Sequence, residues 1–64
     1  MKCLIETVRL KKGITQKDLS ERTGISQPRL SNYENNIIMP SMVTLFKIAE
    51  AMGCSISDIM DVKE

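Results

Sequence analysis

The sequence predicts an all-α fold, a compact bundle of five helices in one domain that covers residues 1–64. Two observations lead to this prediction. No stretch alternates apolar and polar residues strictly enough to indicate a strand. Residues that begin and end helices recur along the whole chain, and the composition, 42% hydrophobic and 27% charged, is that of an ordinary globular domain.

The first helix is predicted over about Cys3–Lys12. Ile5 and Val8 have the spacing of an inward face, and Gly13 follows at the position where a left-handed residue commonly ends a helix.

The second and fifth helices share a starting pattern. In the second helix Thr15 is the expected cap, Asp18 lies three residues later, and Gly24 ends the helix. In the fifth helix Ser55 and Asp58 repeat the arrangement. Both are capping boxes in which Asp replaces the usual Glu.

The third helix is predicted within GISQPRLSNYENN, residues 24–36, and the fourth within SMVTLFKIAEAM, which follows Pro40. The fourth helix begins at Ser41 and ends at Gly53. The third has no glycine after it, but Asn36 can take the left-handed conformation at modest cost.

Helical periodicity predicts an aliphatic and methionine-rich core. Its expected members are Ile5, Val8, Ile14, Leu19, Ile25, Leu30, Tyr33, Leu45, Ile48, Ala49, Met52, Ile56, Ile59 and Met60.

The two cysteines, Cys3 and Cys54, are too few for a disulfide framework, and the chain has no histidine to complete a zinc site. We expect Cys54 to be a small buried residue and Cys3 a partly exposed thiol. Free thiols favour a reducing compartment, so we expect a cytoplasmic protein. No pattern indicates a metal, a cofactor, a small-molecule ligand or a membrane span.

Charge is divided unevenly along the chain. Residues 1–30 contain seven basic and three acidic side chains, a net charge of +4, whereas residues 31–64 contain two basic and five acidic ones, a net charge of −3. This asymmetry indicates an anionic partner for the N-terminal half.

The third helix has two distinct sides. At about 100° per residue, Leu30, Tyr33 and Ile37 define a buried stripe. The opposite side, here termed the polar face, consists of Gln27, Pro28, Ser31, Asn32 and Asn35. A merely solvated side would normally contain Lys and Glu, which are better helix formers. Asn and Gln amides offer a donor and an acceptor together, as an adenine edge in the DNA major groove requires.

A strong resemblance to the Cro/CI-type (Xre-type) helix-turn-helix regulators extends from about Ile5 to Met60. It is most specific in TQKDLSERTGIS, in YENN with a proline a few residues later, and in LFKIAEAMGCS. The resemblance implies a lambda-repressor-like five-helix fold with a central helix-turn-helix. It also implies that the third helix lies in the major groove of double-stranded DNA.

The resemblance further implies roles for individual positions. The residues implied to read base edges are Gln27, Pro28, Ser31 and Asn32. The residues implied to contact the DNA backbone are Gln16, Lys17, Arg29 and Asn35. Arg9 and Glu34 match an internal ion pair of the family, and the rotation count agrees, since Glu34 falls at the edge of the buried stripe.

The loop after the third helix departs from the family pattern. Typical relatives place Gly and basic residues here, whereas residues 36–40 have no charge. We therefore expect phosphate neutralisation to supply less of the DNA affinity than in those relatives. Three alternatives stay open for residues 37–39: one or two of them fold back onto the core beside Tyr33, they form part of a dimer contact, or they dock another protein.

A palindromic DNA site requires a dimer whose recognition helices lie about 34 Å apart. We see no oligomerisation segment after the fifth helix, so we expect a homodimer whose interface lies within the domain. The first candidate contacts are Met52, Met60 and Val62. The second set is Ile37, Ile38 and Met39.

The sequence thus indicates a DNA-binding transcriptional regulator, expected to be a repressor. The alternative is a protein-interaction module on the same fold, antirepressor-like or antitoxin-like, with weak DNA binding. An enzyme is not expected, because the chain has no histidine, no nucleophile–base pair and no glycine-rich phosphate loop.

Overall fold

The structure is a computed structural model that describes the backbone of residues 2–61 and the side chains of residues 3–60. This part of the chain folds into five helices and two short strands. In chain order they are β1 (Lys2–Cys3), α1 (Ile5–Lys11), α2 (Gln16–Thr23), α3 (Gln27–Glu34), α4 (Met42–Met52), α5 (Ile56–Ile59) and β2 (Met60–Asp61). None of these helices has the length and apolar content needed to span a membrane.

The predicted starts of α2 and α5 are confirmed by the hydrogen bonds that cap them. Thr15 Oγ1 accepts from the Asp18 N–H at 3.0 Å, and Asp18 Oδ2 accepts from the Thr15 N–H at 3.4 Å. At the start of α5, the N–H and hydroxyl of Ser55 both donate to Asp58 Oδ2 at 3.0 Å. These two bonds to the ionised carboxylate lower the pKa of Asp58 below its ordinary value.

The all-α fold class is confirmed, but two strands of two residues each, which the sequence did not predict, lie near the two ends of the described residues. Cys3 belongs to β1, which pairs antiparallel with β2, opposite Met60, and α1 begins only at Ile5. The Leu4 N–H donates to the Ile59 carbonyl at 2.8 Å and extends the contact between the two ends. The pairing joins residues far apart in sequence, so local periodicity does not reveal it.

The core prediction is confirmed. Ten of the fourteen predicted residues are buried, and Val8, Ile25, Ile56 and Met60 pack against them partly buried. The expectation for the cysteines is wrong, because Cys3 is 6% exposed whereas Cys54 is only half-buried. Cys3 is buried where β1 pairs with β2, and this burial raises the pKa of its thiol.

The turn between α2 and α3 sets the direction of α3. Gly24 ends α2 in the left-handed conformation at φ 76°, and the Ser20 hydroxyl donates to the Ile25 carbonyl. Helix α4 packs against α2 with Leu45 and Ile48 in the core. The polar face of α3 is left on the outside of the bundle.

Substitution of the fully buried Leu19 by Ala is expected to lower the free energy of unfolding by about 3 kcal/mol, because it leaves a cavity in the core. Urea denaturation measures this change. Leu10→Ala is the matched control, since Leu10 is 64% exposed, and it should alter stability by less than about 0.5 kcal/mol. Equal losses in the two variants would contradict this account of the core.

Candidate nucleic-acid interface

Helix α3 presents the polar face to solvent from its first turn onward. Ser26 is the N-cap, and its Oγ accepts from the Arg29 N–H at 3.4 Å. Pro28 lies in the first turn, where its missing N–H has no helical partner to lose. Gln27 and Pro28 are exposed, and Ser31 and Asn32 are partly exposed. All four predicted base-reading residues are therefore accessible.

The buried stripe of α3 is shorter than predicted. Leu30 and Tyr33 are buried, but Ile37 is 69% exposed. The rotation count fails there because the helix ends at Glu34, and Asn36 takes the left-handed conformation at φ 59°. The N–H groups of Ile37 and Ile38 instead bond to the Asn32 carbonyl at 2.9 and 3.3 Å, which folds the loop back over the end of the helix.

A buried ionic network joins α1, α2 and α3. Arg9 Nε donates to Glu34 Oε2 at 2.9 Å, and Arg9 Nη1 donates to the Ile14 carbonyl at 3.0 Å. Gln16 Nε2 donates to Glu34 Oε1 at 3.2 Å. The side chains of Arg9 and Glu34 are only 9% and 5% exposed. The structure thus brings together the two residues of the implied ion pair and adds Gln16 to them.

Of the four candidate backbone contacts, Asn35 belongs to the polar face itself and the other three lie around it. Gln16 and Lys17 form the first turn of α2, where the helix offers their N–H groups no carbonyl, and Lys17 is exposed. Arg29 leans along α3, with its Nε donating to the Tyr33 hydroxyl at 2.9 Å. Asn35 ends the helix, and its Nδ2 donates to Ser31 Oγ at 3.3 Å.

The candidate dimer residues divide into exposed and buried groups. Ile37, Ile38 and Met39 are 69%, 42% and 44% exposed, and none of them is a buried core residue. Met39 still reaches the core, since its Sδ lies 4.0 Å from Sγ of the buried Cys3. Met52 is wrong as a dimer contact, because it is 4% exposed and belongs to the core. Met60 is half-buried in β2. Val62 lies outside the described residues.

Three exposed apolar residues of α4 were not predicted from the sequence as surface residues. Met42, Val43 and Phe46 are 65%, 75% and 59% exposed. The signal was present, since α4 is apolar on nearly all sides and one helix can bury only one of them. Together with Ile37, Ile38 and Met39 they form what we term the apolar surface.

The fold and site together define a class of protein. Two helices joined by a short turn present an exposed, uncharged, amide-bearing side of the second helix. This is the arrangement of a helix-turn-helix DNA-binding domain. Among residues 3–60, no three His, Cys, Asp or Glu side chains come together as metal ligands would.

Comparison with known proteins gives the family. A helix-turn-helix family model matches residues 5–59. The uncharacterized HTH-type transcriptional regulator y4dJ of Sinorhizobium fredii is 40% identical over 48 residues, which are 75% of this chain and 62% of y4dJ. The chain belongs to the Xre-type helix-turn-helix family of transcriptional regulators.

Two further likenesses bear on function. Antitoxin HipB of Escherichia coli is 38% identical over 53 residues, which are 83% of this chain and 56% of HipB. The crystal structure of the clp gene regulator ClgR from Corynebacterium glutamicum superposes with a TM-score of 0.82 at 29% identity, over 86% of this chain and 58% of ClgR. The chain therefore spans little more than half the length of several proteins that it resembles.

Glu34→Ala is expected to lower the free energy of unfolding by about 3 kcal/mol, because it leaves the buried Arg9 guanidinium without its carboxylate. Thermal unfolding measures the loss. DNA affinity should fall only as far as the folded fraction falls. Glu21→Ala removes an exposed carboxylate from α2 and serves as the control, with little expected change. A Glu34→Ala variant of normal thermal stability that had lost DNA binding would overturn this structural role.

Proposed function

We propose that the chain is a cytoplasmic transcriptional repressor that binds a palindromic operator as a homodimer, with α3 in the major groove of each half-site. The accessible polar face of α3 is the observation that carries this proposal. Membership of a family of transcriptional regulators supports it.

Base reading is assigned to the exposed amides and their neighbours. Gln27 lies in the first turn of α3, the part of a recognition helix that reaches base edges, and Asn32 lies further along the polar face. Each amide can donate and accept together, which matches the N6 and N7 atoms of adenine. The Ser31 hydroxyl can bond to either kind of base, and the Pro28 ring can pack against a thymine methyl group.

Backbone binding is assigned to the groups around the polar face. The free N–H groups at the start of α2, together with Lys17, suit a phosphate at a helix N-terminus. Arg29 flanks the polar face, and Asn35 lies at its C-terminal end. Contacts of this kind fix the register of the protein on DNA, while the base contacts supply the specificity.

The apolar surface is the proposed dimer contact. No charged side chain occurs in residues 37–46, and six large apolar side chains in this stretch are exposed. Phe46 also borders a cavity of about 480 Å³ between α4 and α5, with Ala49 and Ile56. A monomer rarely leaves so many large apolar side chains exposed within ten residues, and a second copy would cover them symmetrically.

A second candidate function uses the same surface differently. The likeness to antitoxin HipB favours a protein-interaction module, in which the apolar surface docks a different protein and DNA binding is weak. The absence of charge from the loop at residues 36–40 also favours this candidate, because fewer phosphates would be neutralised.

Selection of bound duplexes from random DNA at two salt concentrations separates the two functions. We expect an enriched palindrome whose affinity falls steeply as salt rises, because phosphate binding releases counterions. A polar-face variant, Gln27→Ala combined with Asn32→Ala, is the control and should yield no such sequence. Failure of the unaltered protein to enrich any site would favour the interaction module.

Gln27→Ala or Asn32→Ala alone is expected to relax base preference at one position of each half-site. The loss against the preferred base should be about 1–3 kcal/mol, as for other bidentate contacts. Binding titrations on duplexes that vary one base pair at a time measure it. Thr7→Ala, on the exposed side of α1, should change nothing. Uniform weakening on every duplex would show that these amides hold the backbone instead.

Phe46→Glu is expected to shift the protein toward monomer, because it places a charge within the apolar surface. Sedimentation velocity over a range of concentrations measures the shift. Leu10→Glu makes the same change at a residue of similar exposure on α1 and should leave the assembly intact. A monomer in the unaltered protein, or equal dissociation in both variants, would exclude this dimer contact.

A further inference from the structure

A cleft between α3 and α4 lies beside the polar face and is not among the contacts assigned so far. Its volume is about 300 Å³, and the turn between α2 and α3 closes one end. Its polar lining residues are Ser26, Arg29, Tyr33, Thr44 and Lys47.

Each of the three hydroxyl groups of the cleft accepts a hydrogen bond from a neighbouring residue. Ser26 Oγ accepts from the Arg29 N–H, the Tyr33 hydroxyl accepts from Arg29 Nε at 2.9 Å, and Thr44 Oγ1 accepts from the Ser41 hydroxyl at 3.0 Å. None of the three donates a hydrogen bond to another of residues 2–61. Each therefore has a proton available for an acceptor, although Tyr33 is only 4% exposed.

The charged side chains that line the cleft are all positive. Arg29 and Lys47 both line it, and no acidic side chain does. Arg29 is held in position through its bond to Tyr33, which leaves its other guanidinium nitrogens free to donate. A ligand that only accepts hydrogen bonds and bears negative charge matches both properties. A phosphate group has this chemistry.

The cleft lies on the opposite side of the polar face from the start of α2. Counted from Gln27 at about 100° per residue, Arg29 and Tyr33 fall at about 200° and 240°, whereas Glu34, which binds Gln16, falls at about 340°. The polar face occupies the arc between about 0° and 140°. A helix in the major groove has a sugar–phosphate backbone on each side of it.

We propose that the α3–α4 cleft binds a phosphate of the DNA backbone across the groove from the backbone at the α2 N-terminus, with Lys47 and Arg29 as its cations. This inference rests on the proposed DNA-binding function and adds Lys47, Tyr33 and Thr44 to its contacts. It also supplies positive charge beside the polar face where the loop at residues 36–40 has none.

The first test compares the salt dependence of DNA binding by the unaltered protein, Lys47→Ala and Lys11→Ala. Lys47 is exposed and makes no hydrogen bond within residues 2–61, so its removal should leave thermal unfolding unchanged. Loss of one phosphate contact in each half-site should reduce the slope of log affinity against log salt by about 0.9 for each subunit bound. Lys11→Ala makes the same change in net charge on α1 and should retain the full slope.

The second test locates the phosphate. Duplexes with a single uncharged methylphosphonate at successive positions are titrated with the unaltered protein and with Lys47→Ala. One position in each half-site should weaken binding of the unaltered protein several-fold and have no effect on the variant. That position should lie on the strand across the major groove from the one that is sensitive at the α2 N-terminus.

The outcomes separate this inference from the proposed function. DNA binding with the same slope in Lys47→Ala and the unaltered protein would overturn the cleft assignment alone. Absence of binding to any duplex, even at low salt, would overturn both. Inorganic phosphate that shifts the Arg29 and Lys47 side-chain NMR signals while the slope stays unchanged would assign the cleft to a free anion and overturn its role on DNA.

Discussion

The buried contact between Arg9 and Glu34 fixes the helix-turn-helix relative to the rest of the bundle. Arg9 comes from α1 and also binds the Ile14 carbonyl in the connection to α2, while Glu34 ends α3 and accepts from Gln16. One charged pair thereby positions both ends of the proposed DNA contact region, the start of α2 and the last turn of α3. Because a buried charge without its partner is costly, the arrangement resists partial opening. The direction of the polar face follows from it.

Around this fixed frame, charge and hydrogen-bonding capacity occupy separate regions. The polar face has no charge, and the cations lie at its margins, with Lys17 on one side and Arg29 and Lys47 on the other. Long-range attraction to DNA and discrimination between bases are therefore assigned to different side chains. The same separation explains how a chain of net charge +1 can belong to a family of DNA-binding regulators.

The features that the sequence predicted are those set by nearby residues. Thr15 with Asp18 is a local pattern, and it correctly located the start of α2. The β1–β2 pair escaped prediction because its partners are distant in sequence, and Ile37 was misplaced because the rotation count continued beyond the last helical residue. The cleft depends on α3 and α4 both packing against α2. Nothing in the spacing of Arg29 and Lys47 indicated that they would line the same space.

Asn36 has a consequence beyond ending a helix. Its left-handed backbone would suit glycine, but its Oδ1 accepts the Cys3 N–H at 3.0 Å, a bond that glycine could not make. The end of α3 is thus tied to β1, and through β1 to β2. If ligand binding displaced that end of α3, the protection of the Cys3 amide against hydrogen exchange would change, although Cys3 lies 33 residues away in sequence. Hydrogen exchange at Cys3 therefore reports spectroscopically on the end of α3, without any probe placed on the helix itself.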